Sequence, residues 1–130
     1  MKIYYKKFIP GIAWFFLVLI LICLPGADLP KADDWMDVIF FDKWVHAGLF
    51  AVLSFLFLIP VCTSNATSKT KWSLIIKIAL AVSVWGLTTE FIQKFFIPGR
   101  AFDLLDWAAD AVGVIIATIV SKRFYLQKKL

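Results

Sequence analysis

The 130-residue sequence predicts an all-α fold, a membrane four-helix bundle. Three observations carry that reading. Hydrophobic residues make up 62% of the chain, whereas a soluble domain averages about 45–50%. Four apolar runs, at about 8–24, 44–62, 74–97 and 104–120, each approach the roughly 20 residues a helix needs to cross hydrocarbon. The charges lie mostly outside these runs and sort by side. In lipid each backbone group must be satisfied within its own segment, so the runs are helices, held in one domain spanning 1–130.

The first run has a basic start at Lys2, Lys6 and Lys7. It is longer than a signal-peptide core and no small-x-small site follows it, so it is an uncleaved helix. A long connection, "PGADLPKADDWMDVIFFDKWVH", leads to the second run. Its Trp35, Met36, Val38, Ile39, Phe40 and Phe41 suit a short interfacial or re-entrant piece, and Trp35 and Trp44 fit an aromatic belt. Asp42 is the expected N-cap of the second helix. The third run follows a short polar loop. The fourth is the least apolar at its start, with Asp106 and Asp110 in its first two turns. Cys23 and Cys62 fall at opposite ends of the bundle, which excludes a disulfide, and both read as small buried hydrophobes.

Four crossings place the N-terminus, the loop near 63–71 and the C-terminus on one side. That side holds Lys2, Lys6, Lys7, Lys69, Lys71, Lys77, Lys122, Arg123, Lys128 and Lys129, and no acid. The other side holds all the acids, with only Lys31, Lys43, Lys94 and Arg100. The positive-inside rule makes the basic side, and both termini, cytoplasmic. The net charge of +5 is thus a membrane feature, and membrane lipid rather than nucleic acid is the expected partner.

The polar residues within the runs all fall on the acidic half. His46 lies one turn into the second helix. Glu90 lies about 10 Å before the end of the third, at 1.5 Å per residue. Asp42 and His46 are spaced i,i+4, Glu90 and Gln93 i,i+3, and Asp103, Asp106, Asp110 and Gly113 share a face. The face of Glu90 continues as Gly86, Ser83 and Ala79, small residues that permit close helix packing. Glu90 should therefore point inward, where an ionisable group needs a partner. Arg100, folded back by the Pro98-Gly99 turn, is the expected one. Asp103 and Lys94 read as wet rim residues.

These residues carry a resemblance. "DKWVHAGLF", "TEFIQ" and "PGRAFDLLDWAADAVG" are similar, in order and spacing, to the VanZ-like family of small bacterial membrane proteins. The blocks span over half the chain. Asp110 stands where the family often has Asn. The resemblance implies a multi-pass protein of the bacterial cytoplasmic membrane, and a link to the cell envelope and to glycopeptide-antibiotic resistance.

Two functional classes follow from the residues. In the first, Asp42, Lys43, His46, Glu90, Gln93, Arg100, Asp106 and Asp110 line an outward pocket for a lipid or cell-envelope precursor headgroup. Lys43 and Arg100 would contact phosphate while the carboxylates orient them. In the second, His46, Glu90 and Asp110 perform acid–base catalysis or hold a divalent metal through mixed N/O ligands. With a single His and no H-x-x-x-H, CxxC or nucleophile elbow, the sequence calls for no cofactor and no resident metal. A purely structural ion-pair cluster is the remaining alternative. Transport ranks last, because no matching polar residues continue into the basic half.

Overall fold

The computed structural model describes residues 5–25 and 40–127. A 3₁₀ turn, Tyr5–Phe8, leads into α1 (Ile9–Ile22). Then come α2 (Phe41–Cys62), α3 (Ser68–Phe96) and α4 (Leu104–Gln127). There are no strands among the described residues. All four helical segments are long and apolar enough to cross a membrane. The interfacial piece expected around residues 35–39 lies outside the described residues, as do Lys2, Lys31, Lys128 and Lys129.

Helix ends differ from the apolar runs because hydropathy marks the hydrocarbon and not the helix. α3 begins at Ser68 rather than 74, since the Thr67 side chain accepts a hydrogen bond from the Thr70 N–H and caps it. At 29 residues it is about 43 Å long, well beyond a roughly 30 Å core. α4 likewise runs on through Lys122 and Arg123 to Gln127. α2 starts at Phe41 behind Phe40, whose φ of 54° is left-handed and which supplies no side-chain cap. Asp42 is therefore a first-turn residue and not the N-cap, and its carboxylate pairs with Lys43 instead.

The helices run alternately up and down, as contacts at the two ends show. At the basic end Lys71 of α3 donates to the Cys62 carbonyl of α2 at 2.9 Å and sits 5.0 Å over the Tyr125 ring of α4. Phe8 meets Phe57 there, at 6.1 Å between ring centroids. At the acidic end Lys43 of α2, Glu90 of α3 and Asp103 and Asp106 at the start of α4 bond to one another. α2 is the hub. Its Phe50 and Leu53 pack with Val18 and Ile22 of α1, Val82 of α3 and Val114 of α4. A second cluster joins Leu58, Val61 and Cys62 to Ile75 and Tyr125.

Most of the exterior is apolar. Ile12, Phe16 and Ile20 of α1, Leu80 and Val84 of α3, and Ile115 and Ile119 of α4 are all exposed. Meanwhile Glu90, Asp110, Gln93, Thr89, Ser54 and Ser121 are buried. That inversion suits lipid as the surrounding solvent, since a soluble monomer rarely exposes apolar patches beyond a few hundred Å². Both cysteines are free, and Cys62 is buried as expected. Cys23 is exposed, because it follows the last turn of α1 on the outward face.

Candidate functional site

Small residues make the site by letting helices approach. A Cβ on Gly113 of α4 would lie 2.2 Å from the Ala47 carbonyl oxygen of α2. Only a hydrogen fits there, and α2 and α4 touch backbone to side-chain root. Three residues before Gly113, on the same face, Asp110 is thereby pressed against α2. A Cβ on Gly86 of α3 would lie 2.9 Å from Asp110 Oδ2 and 3.3 Å from the Phe50 ring. The absence of a side chain at Gly86 thus leaves room for the Asp110 carboxylate.

The innermost polar layer consists of His46, Glu90 and Asp110. His46 Nδ1 lies 3.0 Å from Asp110 Oδ1, and His46 Nε2 lies 3.6 Å from Asp106 Oδ2. Glu90 Oε2 accepts a hydrogen bond from the Asp103 backbone N–H at 2.9 Å. One donor atom from each of His46, Glu90 and Asp110 can be chosen such that all lie within 4.8 Å of one another. Glu90 Oε1, Asp110 Oδ2 and Gln93 Nε2 are buried with no hydrogen-bond partner among the described residues.

The outer layer centres on Lys43. Its Nζ donates to Asp42 at 2.7 Å, Asp103 at 2.6 Å and Asp106 at 2.5 Å. Asp103 has three tasks. Its Oδ1 accepts from the Leu105 N–H at 2.8 Å and caps α4, its Oδ2 takes Lys43, and its own N–H goes to Glu90. The Lys43 ammonium beside it holds the Asp103 carboxyl below the usual carboxylate range, against a smaller opposing effect of burial. Asp106 joins the layers, with Lys43 at one oxygen and His46 at the other.

The structure therefore brings Asp42, Lys43, His46, Glu90, Asp106 and Asp110 together. Gln93 is buried one turn beyond Glu90. Arg100 departs from expectation. It forms no ion pair with Glu90, Asp106 or Asp110, and its described hydrogen bond is from its backbone N–H to the Ile97 carbonyl at 3.3 Å. Gly99, at φ 74°, makes the turn that leads into Arg100. Lys43 supplies the positive charge in its place. Asp103, expected on the wet rim, is a member of the cluster, and its i,i+3 spacing to Asp106 opposite Lys43 was the available signal. Lys94 is exposed, 5.2 Å from its neighbour's ring, as a rim residue should be.

The cluster is strongly acidic. Five carboxyl groups, from Asp42, Glu90, Asp103, Asp106 and Asp110, gather around Lys43 and His46. Comparison of the chain with protein-family models, with curated proteins and with solved structures finds no match.

Proposed function

We propose that this is a multi-pass protein of the bacterial cytoplasmic membrane, of the VanZ-like kind. Its acidic end faces outward and receives the polar headgroup of a cell-envelope lipid or glycan. The observation that carries the reading is a polar cluster of graded burial at the acidic end of an otherwise apolar bundle. Side-chain exposure falls from 62% at Asp42 and 41% at Asp103, through 18% at Lys43 and 12% at Asp106, to 11% at His46 and 0% at Asp110. A group entering from the membrane surface meets Asp42 and Asp103 first and His46 and Asp110 last. The convergence of the three sequence blocks at this end supports the family reading. The charge separation along the bundle supports the orientation.

The chemistry of the lining narrows the ligand. Lys43 already has three carboxylates around it, so it is no free phosphate anchor. Hydroxyl and amino donors of a sugar or an amine headgroup suit this acceptor-rich surface directly. A second reading, acid–base catalysis by His46 with Glu90 and Asp110, is favoured by one observation. The imidazole is oriented between two carboxylates, Asp110 and Asp106.

The test is extraction of the protein with its surrounding lipid in polymer nanodiscs, followed by lipid mass spectrometry. An envelope lipid enriched over the bulk membrane in wild type and lost in Asp106→Asn is the expected result. Lipid profiles equal to bulk membrane in both would leave the cluster as a packing device. Expression in a sensitive bacterial host should raise tolerance to teicoplanin if the implied resistance role applies to this chain.

A further inference from the structure

Glu90 and Asp110 are completely buried, yet among the described residues no lysine or arginine pairs with either. Lys43 serves only the outer carboxylates. Each inner carboxylate also keeps one oxygen without a hydrogen-bond partner among the described residues, Oε1 on Glu90 and Oδ2 on Asp110. Burying ionised oxygens in this way is costly unless a cation or hydrogen-bond donor meets them. The neighbouring outer group offers a contrast. Asp42, Asp103 and Asp106 also gather close together, but there the chain supplies its own cation, Lys43 Nζ.

We propose that His46, Glu90 and Asp110 form a binding site for one divalent transition-metal ion of the zinc or manganese type. The donor set is one imidazole nitrogen and two carboxylate oxygens from α2, α3 and α4, all buried and within 4.8 Å of one another. Mixed N/O donors suit these borderline ions better than they suit calcium or magnesium, which favour all-oxygen shells. Two carboxylates neutralise the double charge, so the loaded site is uncharged where a charge is most expensive. The supporting shell is also in place. With His46 Nδ1 toward Asp110 and the metal, Nε2 faces Asp106, whose other oxygen is anchored by Lys43. A metal-ligating histidine commonly leans on such an outer carboxylate.

Three protein ligands leave coordination open for a further group. In the headgroup reading, that position would let the site take an anionic oxygen that Lys43 cannot. The metal site itself rests on the geometry alone and does not need that reading.

The experiment measures metal retained by the purified protein. Because His46 is the only histidine, purification uses a tag free of histidine. The protein in detergent is incubated with zinc or manganese chloride, desalted, and measured by plasma mass spectrometry. Wild type and Lys94→Ala should retain about one equivalent, and Glu90→Gln and Asp110→Asn less than about a tenth of that. At a hundredfold excess over Kd the metal should raise Tm by about 5–10 °C in wild type, with a much smaller rise in those two variants. No retention and no shift in wild type would overturn the site, as would equal retention in Glu90→Gln and Asp110→Asn. Should a variant not fold, cobalt substitution of wild type decides. Visible absorption of a low-symmetry N/O site supports the proposal, and a featureless spectrum overturns it. Lipid binding is measured separately, so loss of either result leaves the other interpretable.

Discussion

His46 Nδ1 of α2 lies 3.0 Å from Asp110 Oδ1 of α4, both residues buried, beside the tight contact of Gly113 with Ala47. This pair exists because Gly113, one turn further along α4, admits the backbone of α2 at Ala47. The site and the packing are thus one feature, and substitutions in either should register in both.

Gly113→Ala should be among the most damaging single changes. Its methyl would meet backbone, which cannot rotate away, so the helices must part at a cost of about 1–3 kcal/mol or more. Gly48→Ala, with nothing within 4 Å of the added methyl, should be neutral or slightly stabilising. Unfolding in mixed micelles compares the two. Equal effects would mean that the close α2–α4 approach does not hold.

Lys43→Met should destabilise the protein by about 1–3 kcal/mol, because it leaves three carboxylates around a missing cation. Arg100→Ala should stay within about 0.5 kcal/mol, as for a surface change. The same unfolding assay checks this, and an Arg100 effect as large as that of Lys43 would restore the guanidinium to the cluster.

The Asp103 carboxyl, held low by Lys43, predicts a pH dependence of definite sign. A carboxyl with a depressed folded-state pKa stabilises the protein fully above its unfolded value, about 3.9. That contribution fades as pH falls below about 4 and through the folded value. The stability gap between wild type and Asp103→Asn should therefore be steady from pH 7 to 5 and shrink below about pH 4. A gap that widens on acidification would contradict the Lys43 pairing.

The orientation is testable in intact cells with single cysteines in a Cys23→Ser, Cys62→Ser background. Ala101→Cys, exposed in the turn at the acidic end, should react with a membrane-impermeant thiol reagent, and Lys69→Cys, exposed at the basic end, should not. The reverse pattern would put the site on the cytoplasmic side.

Most of the fold was legible in the sequence because lipid imposes a simple rule, one apolar run per crossing. The helix ends were not, since Thr67 caps α3 outside its apolar run and Lys71 remains helical while bonding to Cys62. In the site, depth and helical spacing were enough to group His46, Glu90, Asp106 and Asp110. They could not choose between cations. Lys43 and Arg100 both lie near the acids in sequence, and only the structure shows that Lys43 rather than Arg100 pairs with them. Asp103 shares the helical face of Asp106, which was a signal for its membership, but its backbone N–H bond to Glu90 leaves no trace in a side-chain pattern.

The central claim is that residues from separate helices form one coupled buried cluster. The most direct measurement is a double-mutant cycle on unfolding free energy in mixed micelles, with His46→Ala, Asp110→Asn and the two combined. A contact pair in one network should show a coupling of about 0.5–3 kcal/mol. Lys94→Ala combined with Asp110→Asn should be additive. If His46→Ala and Asp110→Asn add to within about 0.3 kcal/mol, as distant independent sites do, the cluster described here does not exist.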